Sequence, residues 1–148
     1  MNLSLSYYNT LLLSVKTLVV AGKKKVAKPI FMLAIIQAIN EHLITENKIK
    51  YTDELEMIYM RLYGKYGETP SPMKYPFYHL QSDGFYHIEG TLPTKSPTPK
   101  QLKEKIQYAY FDEQLRKLLQ NEENRNVLLK SIEEYFNLKI DNAYGNNI

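Results

Sequence analysis

Histidines and paired acids are the side chains of this protein that could transfer protons or bind a metal. The three histidines are His42, His79 and His87, and none stands in an H-E-x-x-H or similar ligand spacing. His79 and His87 flank a predicted turn, but two histidines without further ligands are more typical of cross-strand neighbours. The adjacent acids at 112–113 and 133–134 would point to different faces of a helix, which is typical of solvated carboxylates.

The usual signatures of enzymes are absent from the sequence. The chain has no cysteine, which excludes a thiol nucleophile, a disulfide framework and cysteine-based metal sites. No nucleophile elbow, Walker loop, dinucleotide fingerprint or nuclease motif can be assembled from its residues. We therefore predict a protein that is not an enzyme and has no cofactor and no metal. A metal-dependent enzyme that uses His79, His87 and nearby acids is the weakest alternative.

Lysines are clustered, and this clustering indicates an anionic partner. Residues 1–28 contain five lysines and no acid, although the net charge of the whole chain is only +3. These five are Lys16, Lys23, Lys24, Lys25 and Lys28. A second basic stretch lies at 95–105. Clustered lysines are the electrostatic footprint of a protein that binds a phosphate backbone, and a solvated surface loop is the alternative.

A helix start and an aromatic segment accompany the lysines. Pro29 is suited to a first helical turn, so a helix is predicted to open there, directly after Ala27 and Lys28. A helix N-terminus presents unpaired N–H groups and a positive dipole to an anion. The segment Lys74-Tyr-Pro-Phe-Tyr-His79 adds aromatic faces beside another lysine. This combination favours nucleic-acid binding, and packing of the rings in a core is the alternative.

Helices are predicted to position most of these residues. Apolar residues at intervals of three or four predict a first helix over 3–21, which Gly22 ends before a lysine-rich loop. A second helix over 29–43 is apolar nearly all round its first half, so it is predicted to be the central buried helix. Thr52 is predicted to cap a third helix, which ends near Tyr63.

The hydrophobic period changes after the third helix. Residues 75–80 and 85–89, joined by Asp83-Gly84, predict a short β-hairpin whose first strand is pushed to an edge by Pro76. Three further helices are predicted, with the caps Thr98, Asp112 and Asn121. The predicted fold class is therefore mainly α, a compact helical domain with one short β-hairpin.

The length of 148 residues is that of one domain with its own hydrophobic core. We predict a single domain over 1–140 and a flexible tail over 141–148. The longest apolar run, 30–36, is too short to span a membrane. No basic region precedes the apolar N-terminal residues as it would in a secretory signal, so a cytoplasmic location is expected.

Six short motifs follow one another along the chain. They are Lys28-Pro29 before an apolar helix, Tyr75-Pro-Phe-Tyr-His-Leu80, Asp83-Gly-Phe-Tyr86, Ala109-Tyr-Phe-Asp-Glu-Gln-Leu115, Asn124-Arg125 and Glu134-Tyr-Phe136. Their order and spacing resemble the DNA phosphorothioate sulfur-binding domain of type IV, McrA-like restriction endonucleases. The resemblance covers roughly residues 10–137, nearly the whole chain.

The resemblance implies binding of double-stranded DNA in which sulfur replaces one non-bridging phosphate oxygen. In the family, a Tyr-Pro pair and a basic-Pro step form an apolar pocket for this sulfur. Carried over to this chain, the sulfur pocket consists of Ala27, Lys28, Tyr75, Pro76 and His79. The lysines expected to bind the DNA backbone are Lys23, Lys24, Lys25, Lys28 and Lys74.

The chain departs from the family pattern in two places. Many members have His and then Arg or Lys at the basic step, whereas this chain has Ala27 and then Lys28. Lysine lacks the planar fork of arginine, so lower affinity or selectivity for sulfur is expected.

The second departure is that members often carry an HNH nuclease, and no such motif is found here. We expect a stand-alone module or a piece of a longer protein, with a nuclease partner in trans as one alternative. The other alternative is a protein-interaction or regulatory subunit of a restriction or defence system with generic DNA binding.

Overall fold

Helices make up more than half of residues 2–141, the part of the chain that the computed structural model describes. The helices are α1 (Leu3–Leu13), α2 (Ala27–Asn40), α3 (Asp53–Tyr66), α4 (Lys74–His79), α5 (Pro99–Lys105), α6 (Glu113–Leu119) and α7 (Glu122–Tyr135). The strands are β1 (Val19–Val20), β2 (Lys23–Lys24), β3 (Tyr86–Gly90) and β4 (Ile106–Phe111), and a 3₁₀ turn spans Leu80–Asp83. The predicted mainly α class is confirmed.

Helix α2 lies at the centre of these elements. Each residue from Ile30 to Ile36 is at most 3% exposed. A helix that is apolar all round must be covered all round, and α2 packs against α3, α4 and α7. The prediction of a central buried helix is therefore confirmed. Within residues 2–141, no helix combines the length and the apolar character needed to cross a membrane.

Side-chain caps begin three helices where the sequence predicts them. The Thr52 hydroxyl accepts from a backbone N–H in the first turn of α3, and the Asn121 amide oxygen does the same for α7. Thr98 and Gln101 form a reciprocal capping box at α5. Asp112 also precedes a helix, α6, but its side chain makes no capping bond.

The predicted first helix over 3–21 is wrong in its second half. Helix α1 ends at Leu13, and the chain then forms an antiparallel hairpin in which β1 pairs with β2. Ala21 and Gly22 both have positive φ, at 52° and 78°, which is the geometry of a two-residue hairpin turn. Gly22 therefore turns a hairpin instead of ending a helix, and the lysines at 23–24 lie on a strand.

The predicted hairpin over 75–89 is also wrong. Residues 75–79 belong to α4, where Pro76 lies in the first turn and therefore gives up no helical hydrogen bond. Gly84 has a φ of 95° and ends the 3₁₀ turn, so Asp83-Gly84 does not join two strands. β3 instead pairs with β4, a strand that the sequence analysis did not assign.

Aromatic rings hold α4 against the centre of the fold. Phe77 is fully buried, and its ring centroid lies 5.9 Å from that of Phe31 in α2 and 6.3 Å from that of Tyr86 in β3. All of these contacts are edge-to-face, an arrangement that aromatic pairs prefer. Phe77 is thus a core residue, and its anchoring fixes the position of its neighbours Tyr75 and Pro76.

The predicted tail lies almost entirely outside the described residues. Only Asp141 belongs to them, and its backbone N–H donates to the carbonyl of Lys65 at 2.8 Å.

Candidate nucleic-acid interface

The first turn of α2 and helix α4 meet at an open cavity of about 450 Å³, called here the first cavity. Its third wall is the segment 16–18, which leads from α1 into the β1–β2 hairpin. The residues that line it are Lys16, Thr17, Leu18, Lys25, Ala27, Lys28, Tyr75, Pro76, His79 and Ser82. The lining is mostly apolar. All five residues that the sequence predicts for the sulfur pocket therefore lie around one cavity.

Tyr75 and Pro76 have different environments in the first cavity. Pro76 is buried, whereas the ring of Tyr75 is 49% exposed at the rim. A large aromatic side chain that remains half exposed adds little to the core, and its face is available to a ligand. Lys74 does not line the cavity, but its Nζ lies 5.1 Å from the centroid of the Tyr75 ring.

A largely buried ion pair links two walls of the first cavity. Lys28 Nζ donates to Oδ2 of Asp83 at 2.7 Å, and the two side chains are 13% and 4% exposed. The other carboxylate oxygen of Asp83 accepts from the backbone N–H of Lys16 at 2.8 Å. Asp83 therefore ties the start of α2 to the segment 16–18. It also places an anion near a helix N-terminus, which offsets the unfavourable position of Lys28 on the helix dipole.

His79 lies at the rim of the first cavity and is neutral at pH 7. Partial desolvation of the imidazole, together with the charge of Lys28, lowers the pKa of His79 below its ordinary value. Because Asp83 balances the charge of Lys28, the deeper wall of the cavity carries little net charge. The unpaired positive charge at this site comes from the more exposed Lys16 and Lys25.

Three of the predicted backbone-binding lysines line a smaller cavity of about 190 Å³, the second cavity. Its residues are Val20, Lys23, Lys24, Lys25, Val26, Tyr63, Glu68, Thr69 and Ser71. Lys25 lines both cavities, so the two are adjacent. Lys23 is paired with Glu68, and Lys24 Nζ lies 5.1 Å from the ring centroid of Tyr135. No acid among residues 2–141 forms an ion pair with Lys25.

Sequence reasoning missed the segment 16–18 and Ser82 as parts of the first cavity. Leu18 was assigned to a helix face, yet it is 74% exposed and flanks the cavity. The available signal was local: the β-branched pair Val19-Val20 is followed by a small residue and Gly22, which favours a hairpin turn over a helix end.

His87 lies in a different environment from His79. Its Nε2 is 2.6 Å from Oδ1 of Asp112, and the hydroxyl of Tyr8 donates to Oδ2 of the same carboxylate at 2.8 Å. Burial and this carboxylate raise the pKa of Tyr8 to about 12. Among residues 2–141, no group of three or more His, Asp or Glu side chains is placed to hold a metal ion.

One family of known domains is similar to this chain. A family described as "ScoMcrA-like, DNA sulfur-binding domain" matches residues 9–143. No curated protein matches the chain. The matched segment includes both cavities and every helix from α2 to α7. Such a domain is a binding module and its partner is DNA. The chain therefore belongs to the ScoMcrA-like DNA sulfur-binding domain family.

Proposed function

We propose that this protein recognises phosphorothioate-modified duplex DNA, with the sulfur in the first cavity and neighbouring phosphates on the lysines. The observation that carries this proposal is the convergence of Ala27, Lys28, Tyr75, Pro76 and His79 around one mostly apolar cavity. The proposal needs no catalytic residue in this chain.

The chemistry of sulfur suits the first cavity. Sulfur is larger, more polarizable and a poorer hydrogen-bond acceptor than the oxygen it replaces. Against Tyr75 and Pro76, a phosphate oxygen would lose hydration without gaining a donor, at a cost of about 1–3 kcal/mol. Sulfur loses much less there. Each 1.4 kcal/mol corresponds to about a tenfold difference in affinity, so a preference of about tenfold is expected.

The charges around the first cavity support a preference for sulfur over oxygen. The pairing of Lys28 with Asp83 leaves the deeper wall without a strong ligand for an anionic oxygen, and the lowered pKa of His79 favours a neutral imidazole at the rim. Lys16 and Lys25 attract the backbone at the rim. Helix α2 has no side-chain cap at Val26, so its first N–H groups can donate to the remaining phosphate oxygen.

The same proposal extends to the cellular role of the protein. Recognition of a DNA modification without chemistry in the chain suits a restriction or defence system in the cytoplasm. Any cleavage would then be carried out by a nuclease partner in trans.

Paired duplexes test the proposal directly. Fluorescence polarisation would compare two identical duplexes at physiological salt, one with a single phosphorothioate of defined stereochemistry, in several core sequences. A preference of about tenfold or more for the sulfur duplex supports the proposal. Equal binding would leave generic DNA binding, and no binding in any context would favour a protein-interaction module.

A further inference from the structure

The second cavity has a more polar lining than the first, whose lining is mostly apolar. Lys23, Lys24 and Lys25 come from β2 and the residue after it, and Thr69 and Ser71 come from the loop that follows α3. Ammonium and hydroxyl groups are the usual donors to unmodified phosphate oxygens. In the described part of the chain, one acid, Glu68, also lines this cavity.

The local backbone fixes Glu68 at this position. Helix α3 ends with Gly67 in the left-handed region, at a φ of 66°. The N–H of Glu68 then donates to the carbonyl of Tyr63 at 3.1 Å, which closes the helix end. The side chain of Glu68 is 17% exposed, so it lies within the cavity wall and not in open solvent.

Lys23 reaches Glu68 from the β1–β2 hairpin. Its Nζ lies 3.2 Å from Oε1 and 2.9 Å from Oε2, so both carboxylate oxygens accept from one ammonium group. Two oxygens on a single anionic centre are also what a phosphate presents to lysine. The Lys23 side chain is 70% exposed, and ion pairs with such an exposed partner are weak and easily exchanged.

We infer that the second cavity is a site for an unmodified phosphate next to the sulfur-bearing one. In the free protein the Glu68 carboxylate pairs with Lys23, and a DNA phosphate takes the place of this carboxylate on binding. The inference rests on the proposed function, because Lys25 joins the two cavities and one DNA strand would run past both. Glu68 then weakens binding to every duplex, modified or not. The preference for the sulfur-containing duplex is then determined by the first cavity alone.

The test is E68Q, which keeps the shape of the side chain and removes its charge. Binding to plain and phosphorothioate duplexes is measured over a range of salt concentrations. We expect E68Q to bind both duplexes several-fold more tightly, with a salt slope steeper by about 0.9 because one more counterion is released. E54Q is the control, because it removes the same charge from an exposed position at the other end of α3.

A double-variant cycle separates this mechanism from a general charge effect. In a K23A background, E68Q should bring no further gain, since the lysine that it releases is absent. A gain that persists in K23A, or that E54Q matches, would overturn the inference, as would an unchanged salt slope. Thermal melting of each variant shows that it is folded.

Failure of this inference can be distinguished from failure of the proposed function. Sulfur preference is read from the wild-type protein alone, whereas the effect of E68Q is read from the plain duplex.

Discussion

Each cavity is lined by a lysine that pairs with a carboxylate, but the pairs differ in burial. Lys28 of the first cavity and its partner Asp83 are 13% and 4% exposed, whereas Lys23 and Glu68 of the second are 70% and 17% exposed. A buried pair cannot be broken without leaving an uncompensated charge. A pair with one partner in solvent exchanges readily with other ions. We therefore expect the first pair to fix the geometry beside its cavity and the second pair to stay available to DNA.

This difference suggests that the two cavities have separate roles in DNA binding. The first cavity has a mostly apolar lining, and Asp83 balances the charge of its Lys28, which suits discrimination between sulfur and oxygen. The second has lysines that respond to any phosphate, which suits affinity without discrimination.

Breaking the buried pair should have the largest effect. D83N leaves Lys28 without a counter-charge and should destabilise the fold by about 3–5 kcal/mol. Urea denaturation measures this change, and E68Q serves as the matched control at the exposed pair, with less than about 1 kcal/mol expected. In K28M/D83N no charge is left unpaired, so most of the stability should return. Equal effects of D83N and E68Q on stability would contradict the comparison.

The second prediction addresses discrimination in the first cavity. Y75A should reduce the preference for sulfur by about tenfold, with little change for plain duplex, because the ring forms part of the apolar wall. Tyr75 is 49% exposed, so stability should change little. Y7A is the control, since Tyr7 is 59% exposed on α1 and lines neither cavity. Equal weakening of both duplexes by Y75A would argue against a sulfur pocket.

Local signals in the sequence were sufficient for the starts of most helices and for part of the site. Thr52, Thr98 and Asn121 cap helices as predicted, because capping depends on residues within three positions. The family motifs identified five residues that the fold brings to one cavity, although their role in binding sulfur stays a prediction.

Two errors arose where the structure depends on contacts between residues that are far apart in the sequence. β3 pairs with β4, about twenty residues further along, and no local pattern specifies that partner. Asp83 was read as a turn residue, yet its carboxylate bonds to Lys28 and to the backbone of Lys16, far away in sequence. A third error was local: the cavity wall at 16–18 was missed because an apolar helical period was extended past the end of α1 and through strand β1.

Lys25 lines both cavities, so its replacement tests whether they have separate roles. K25A should weaken plain and modified duplexes by the same few-fold factor, since a phosphate contact carries no information about sulfur. The salt slope should become shallower by about 0.9. K130A removes the same charge from an exposed position on α7 and should leave the slope unchanged. A selective loss of sulfur binding in K25A would place this lysine in the discriminating site.

The smallest expected effect is the pH dependence that His79 contributes. Its pKa is lowered in the folded protein by desolvation and by Lys28, so the unfolded chain takes up the proton first. Stability should therefore fall as the pH drops below the ordinary histidine value of about 6.5 and through the lower folded value. Denaturation of wild type and H79Q at pH 7.5 and 5.5 measures this contribution. The difference between their free energies of unfolding cancels the effect of the other histidines.

DNA binding should show the opposite pH dependence. A phosphate at the rim would raise the pKa of His79, so affinity should increase at pH 5.5 in wild type more than in H79Q. If H79Q and wild type shared the same pH profile for binding, the DNA backbone would not approach this rim.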